Sequence, residues 1–196
     1  CYKNGQFVEN ELTELCKKVR IRHVSVTSEG AVLVSTYEKL GQLKYNLDGT
    51  LESWTPANGL AGSRVRVAEQ FSNGDIYVGT TSGLSIISPD GTITNITKNE
   101  EIQNDYIMCI HEDKDGSVWV GTDGGGIFVL KDKQVVKKIT KDDNLSGNVI
   151  FKILNLRDDE LWICTGSGLS IYKNNQIFSF SSVSGLGYDS DFQVIL

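Results

Sequence analysis

The sequence predicts an all-β fold, a partial β-propeller of about four four-stranded blades with a partial blade at each end. Two marker series in one register and a strand-forming composition carry that prediction. The first series is Gly30-Ala-Val-Leu-Val-Ser-Thr36, Gly74-Asp-Ile-Tyr-Val-Gly-Thr80, Gly116-Ser-Val-Trp-Val-Gly-Thr122 and Asp159-Glu-Leu-Trp-Ile-Cys-Thr165, whose threonines lie 44, 42 and 43 residues apart. The second is the set of turns Asn4-Gly5, Asp48-Gly49, Asp90-Gly91, Asp132-Lys133 and Asn174-Asn175, spaced by 44, 42, 42 and 42. A period in the forties with hairpin turns is the signature of stacked antiparallel blades. The composition agrees: 20 glycines, 2 prolines and 39% hydrophobic residues suit many short strands joined by tight turns.

Each unit of about 43 residues reads as four strands, a to d. Strand a is an apolar run such as Tyr106–Ile110, and strand b is the first marker series. Strand c follows a glycine-containing loop, as in Gly83–Ile87, Gly126–Leu130 and Gly168–Tyr172. The second marker turn opens strand d, where Phe7, Leu51, Ile93, Val135 and Ile177 recur. Asn-Gly and Asp-Gly tolerate the positive φ that such hairpins need. Helical periodicity is weak, and only Asn10–Val19 suggests a short helix.

These markers divide a single propeller segment, 1–196, into the end of a preceding blade (1–18), blades at 19–63, 64–105, 106–148 and 149–190, and a first strand of a following blade (191–196). Tyr2-Lys-Asn-Gly-Gln-Phe7 matches Tyr172-Lys-Asn-Asn-Gln-Ile177, so the chain is expected to begin within a blade. The expectation is a piece of a larger propeller; end remnants sharing one blade would lack a strand b.

Charge and composition narrow the function. With 19 basic against 25 acidic residues the net charge is −6, and no basic face of the kind nucleic acid requires is evident. Lys17, Lys18, Arg20 and Arg22 form the densest basic group and read as a solvated strand edge. No apolar run is long enough to span a membrane. Cys1, Cys16, Cys109 and Cys164 show no zinc spacing with His23 or His111, and Cys109 and Cys164 read as small buried hydrophobes.

Candidate chemistry is sparse. Asp113-Lys-Asp115-Gly116 opens like a calcium loop, but position twelve is Gly124, so it reads as a self-capping turn. Asp123-Gly-Gly-Gly126 lies between strands without a helix to hold a phosphate, so it reads as a b–c loop. Trp119 and Trp162 share one repeat position and read as packing between blades; Trp54 has no equivalent and is the better candidate of the three for exposed contact, with a structural role as its leading reading. His23 and His111 lack a nucleophile motif. No catalytic residue, metal ligand or cofactor is assigned.

The run Glu112-Asp-Lys-Asp-Gly-Ser-Val-Trp-Val-Gly-Thr122, followed by Asp123-Gly-Gly-Gly-Ile-Phe-Val129, resembles the two-component regulator propeller repeat. Its usual Gly-Leu tail is matched at Asn58-Gly-Leu60, Asn144-Leu145-Ser-Gly147 and Gly185-Leu186. The first unit departs by lacking the tryptophan and inserting Tyr37–Leu40; the fourth has Cys164 where Gly121 stands. That resemblance implies a non-catalytic, extracytoplasmic sensing module, periplasmic or at the cell surface, in a bacterial receptor of the histidine kinase or hybrid two-component type. A diguanylate cyclase is the other output it implies.

The implied partner is a small-molecule or oligosaccharide ligand, with no nucleic acid, a membrane only through the parent protein, and a second copy as a candidate partner. In a propeller the d–a and b–c loops open on one face around the channel. They offer Tyr37, Glu38, Lys39, Arg64, Arg66, Asp123, Asn148 and Tyr188 as ligand-binding candidates. Arg and Tyr suit acidic or hydroxylated sugars through forked hydrogen bonds and ring stacking. The alternatives are a propeller lyase or glycan-cleaving enzyme, with a His–carboxylate cluster or metal at the channel mouth, and a protein-interaction scaffold with an extended apolar patch.

Overall fold

The computed structural model describes residues 2–3, 5–98, 102, 104–157 and 159–181, so Cys1, Tyr188 and the strand expected at 191–196 lie outside the described residues. A short hairpin, β1 (Tyr2–Lys3) with β2 (Gln6–Phe7), precedes helix α1 (Glu11–Cys16). Asn10 caps α1 reciprocally with Thr13, each side chain accepting from the other's backbone N–H.

Four antiparallel four-stranded sheets follow, each in sequential order. The first holds β3 (Ile21–Val26), β4 (Val32–Thr36), β5 (Gln42–Tyr45) and β6 (Leu51–Trp54). The second holds β7 (Val65–Gln70), β8 (Ile76–Thr80), β9 (Gly83–Ile87) and β10 (Ile93–Ile96). The third holds β11 (Ile107–Glu112), β12 (Val118–Thr122), β13 (Ile127–Lys131) and β14 (Gln134–Ile139). The fourth holds β15 (Ile150–Arg157), β16 (Glu160–Thr165), β17 (Gly168–Lys173) and β18 (Gln176–Phe180). Strand β3 lies against β7, β7 against β11 and β11 against β15. The first strands of successive blades are therefore neighbours, which is the radial stacking of a propeller.

Alternation of side chains along each strand gives every blade two apolar faces, which only stacking hides. Three interfaces result. Leu33, Leu60, Val65 and Val78 fill the first, with Trp54 packed on its edge. The second encloses Tyr77, Ile86, Ile107, Val120 and Phe128. Trp119, Ile127, Ile150, Leu161 and Ile163 close the third. Trp54 thus belongs to blade packing and not to an exposed contact. Leu60 and Leu145, each 3% exposed, drop from the d–a loops into these cores. At the outer faces of the first and last blades Val24, Val26, Phe178 and Phe180 remain exposed.

The c–d turns are of two kinds. Asp132 and Lys133 (φ 49° and 63°) and Asn174 and Asn175 (φ 51° and 60°) form tight hairpins with two left-handed residues. In the first two blades only Gly49 and Gly91 are left-handed, and the Asp48 and Asp90 carboxylates accept from Thr50 and Thr92 N–H at 2.9 Å. The a–b turn of the third blade closes on itself likewise, with the Asp115 carboxylate accepting from Ser117 N–H at 2.9 Å.

Cys109 and Cys164 are buried in strand interiors. Burial pushes the Cys109 thiol up to about 12, so at pH 8 it carries almost no thiolate. Both thiols should resist N-ethylmaleimide in the native protein and react fully in denaturant; rapid native labelling of Cys109, read by mass spectrometry, would contradict this packing.

Candidate functional site

Each first strand carries a β-bulge at the same place: between Ile21 and His23, Val65 and Val67, Ile107 and Cys109, and Ile150 and Lys152. A bulge inserts one residue out of alternation and re-aims its side chain. The inserted residues are Arg22, Arg66, Met108 and Phe151. One step outside the bulge, the backbone carbonyls of Arg20, Arg64, Tyr106 and Val149 accept from the N–H of Tyr37, Thr81, Asp123 and Gly166 at 2.9–3.1 Å. These recurrent bonds set the b–c loops beside the entry to each first strand. They also place the inserted Tyr37–Leu40 segment above the first two blades.

A compact cluster forms there. The guanidinium carbons of Arg20, Arg22 and Arg64 stand 5.3, 5.4 and 5.7 Å from the centre of the Tyr37 ring. Arg66 lies 5.5 Å from the Tyr106 ring centre, within cation–π range. The Tyr37 and Tyr106 hydroxyls share a hydrogen bond at 3.0 Å, and an Arg66 N–H donates to Tyr106 Oη at 3.3 Å. Four of the chain's five arginines are gathered in this one place. Among the described residues no carboxylate lies within ion-pair distance of any of them.

The electrostatics follow from that arrangement. Burial, then the neighbouring Arg66 and Arg20, weakens the hold of Arg22 on its proton. The hydrogen bond with Tyr106, and next the surrounding guanidiniums, draw the Tyr37 hydroxyl below the usual phenol range. The same bond raises Tyr106, so Tyr106 is the donor when Tyr37 ionises.

Of the residues singled out in sequence, Tyr37, Arg64 and Arg66 come together. Arg20 and Arg22, read as a strand edge, join them, and Tyr106 completes the group. The signal was present: Arg20 and Arg22 recur in phase as Arg64 and Arg66, 44 residues on. Glu38 and Lys39 sit on the exposed tip of the loop, held by the Gly41 N–H bond to the Glu38 carbonyl. Asp123 pairs with Val149 in an isolated bridge. Asn148 is occupied by structure: its carbonyl accepts from Gly124 and Gly126 N–H, and its side chain from Lys141 N–H at 2.8 Å. Tyr188 lies outside the described residues.

His23 and Glu69 approach at 3.8 Å. Ala68 N–H lies 3.5 Å from His23 Nδ1, and burial, then Lys152, lowers the imidazole's proton affinity. Burial also raises Glu69. His111 is held by the Asn155 amide oxygen at 2.6 Å, on the next blade. Among the described residues no group of His, Cys, Asp and Glu could hold a metal ion. A cavity of about 650 Å³ opens between the last two blades near the a–b turns, where Lys137 covers Tyr172.

Residues 101–124 match the family model described as two component regulator propeller. In fold the chain is similar to the extracellular domain assigned to a hybrid two component system of B. thetaiotaomicron, with TM-score 0.72, 24% identity, and 92% of this chain covering 25% of that one. A second extracellular domain from that organism, assigned to a one component system, gives TM-score 0.71 at 15% identity, with 88% of this chain covering 26% of that one. Virginiamycin B lyase from Staphylococcus aureus gives TM-score 0.67 at 18% identity, with 84% of this chain covering 56% of that one. The chain thus spans about a quarter of the length of the two extracellular domains. At these identities the likeness is one of fold. No curated protein matches the sequence. The match to the two component regulator propeller model covers residues 101–124, and the four described four-stranded sheets share one antiparallel strand order.

Proposed function

We propose that this segment is a non-catalytic sensing module of a bacterial signal-transduction receptor, working outside the cytoplasm and binding a soluble ligand, an oligosaccharide in the leading case. The observation that carries the reading is the arginine–tyrosine cluster where the first blade's b–c loop meets the entries to the first strands. It offers forked donors and aromatic rings, and among the described residues no carboxylate pairs with it. The repeat type and the likeness to extracellular domains of two bacterial systems support the setting.

The test is a thermal-shift screen of the chain against neutral and acidic oligosaccharides. At about a hundredfold excess over Kd a true ligand stabilises by ~2.7 kcal/mol, a shift of about 5–10 °C for a chain of this size. Replacing Arg66 by Ala should abolish that shift and leave the unliganded melting temperature close to its starting value. A screen in which every oligosaccharide leaves the melting curve in place would overturn the reading.

His23 beside Glu69 favours a second reading, a propeller lyase or glycan-cleaving enzyme, because burial moves both groups away from their ordinary values. It requires the screened sugars to be consumed. Product formation that disappears in His23→Ala would establish it in place of the first reading.

A further inference from the structure

We infer that the channel mouth takes a ligand through anionic oxygen groups, carboxylate or sulfate ester, clasped by Arg20, Arg22, Arg64 and Arg66. This rests on the reading of the segment as a binding module and assigns the chemical class of its ligand. The chain carries 25 acidic against 19 basic residues, so carboxylates for counter-ions are abundant. None of the described ones is used here. The other arginine, Arg157, stands 4.0 Å from Glu160 on the exposed edge of the last blade.

Like charges held together without a counter-ion repel; at Arg22 burial, then the neighbouring Arg66 and Arg20, disfavours the charged form. The tyrosine rings explain how the guanidiniums stack but do not neutralise them. The donors are also largely unspent: each guanidinium has five N–H groups, and among the described residues the one side-chain hydrogen bond these four guanidiniums donate is that of Arg66 to Tyr106. Planar forks with free donors match the paired oxygens of a carboxylate or sulfate in bidentate geometry. Two stacked tiers, Arg20 with Arg64 at the rim and Arg22 with Arg66 one bulge deeper, suit a ligand bearing two such groups. The third and fourth blades put Met108 and Phe151 at the deeper position, so the clustered guanidiniums are confined to the first two blades. That asymmetry suits an acidic sugar, whose ring has an apolar face as well as its anionic group.

Five arginines in the chain give five side-chain Nε–Hε resonances, with Arg157 as an internal control. The chain is titrated at constant ionic strength with sodium sulfate, a galacturonate dimer, a sulfated chondroitin disaccharide and cellobiose. The expected result is a saturable shift of the four clustered resonances with sulfate and with at least one acidic sugar. Arg157 and the cellobiose series should stay flat, and the two acidic sugars tell carboxylate from sulfate ester. Arg22→Gln with Arg66→Gln should weaken the binding at least tenfold and leave the melting temperature unchanged or higher, because repulsion is relieved. Should that pair fail to fold, Arg64→Gln, at the exposed rim, carries the same test. Non-saturating shifts, or shifts equal at Arg157, overturn the inference. Binding of cellobiose with the four resonances unmoved overturns it too, and leaves the sensing reading standing.

Discussion

Replacing Gly126 by alanine is expected to destabilise the chain by about 2–6 kcal/mol, the sum of an unfavourable backbone and a steric overlap. Gly126 immediately precedes strand β13 with φ +78°, and a Cβ there would lie 2.3 Å from the carbonyl oxygen of Ile139. That oxygen belongs to the backbone at the end of β14 and cannot swing aside. Gly126 is also tied on both sides. Its N–H donates to the Asn148 carbonyl at 2.9 Å and its carbonyl accepts from Thr122 N–H at 3.0 Å. Gly116 separates the two contributions, since its φ is +74° but nothing lies within 4 Å of its would-be Cβ. Gly116→Ala should cost only the left-handed backbone, about 1–2 kcal/mol. Urea unfolding of the two variants beside the parent measures both. Equal midpoints would mean that the Ile139 carbonyl does not constrain β13.

Blade architecture was legible because it is imposed by period. The apolar alternation of Val32–Val34, Ile76–Val78, Val118–Val120 and Leu161–Ile163 fixes which residues face which neighbour, and the turn residues fix where each strand ends. Turn geometry was less legible, since Asp48-Gly49 and Asp132-Lys133 occupy one repeat position yet adopt different turns. The site was half legible. Tyr37, Arg64 and Arg66 follow from knowing that b–c and d–a loops share a face. Arg20 and Arg22 were lost because, read along the chain, they belong with Lys17 and Lys18 as a basic run on an edge. The bulge after Ile21 separates them from that run, and a bulge leaves no residue signature in this first strand. Asn148 lies in the predicted loop but outside the cluster: its carbonyl accepts from Gly124 and Gly126 N–H, and its side-chain oxygen from Lys141 N–H.

Trp119 and Trp162 stand at one repeat position and should respond very differently to truncation. Trp119 is 3% exposed between the third and fourth blades, meets Tyr172 edge-on at 4.7 Å, and donates from Nε1 to Ser117 Oγ at 3.2 Å. Trp119→Ala should cost about 3–5 kcal/mol, the range for emptying a large aromatic site. The loss falls on one interface of a quasi-linear stack, where stability is a sum of blade and neighbour terms. The fourth blade should therefore uncouple first. Amide exchange ought to accelerate across β15 to β18 while β7 to β10 keep most of their protection. Trp162 is only half-buried, on the outer face of the last described sheet near exposed Phe178 and Phe180. Its truncation removes much less buried surface, about 1 kcal/mol or less. Equal losses at the two positions would mean that burial between blades is not what sets the stability of the stack. The same coupling bears on sensing. The arginines come from the first two blades and Tyr106 from the third, so an occupant of this cluster would add a bridge across three blades to the apolar faces and polar contacts, such as Tyr37 to Tyr106 and His111 to Asn155, that already join neighbours.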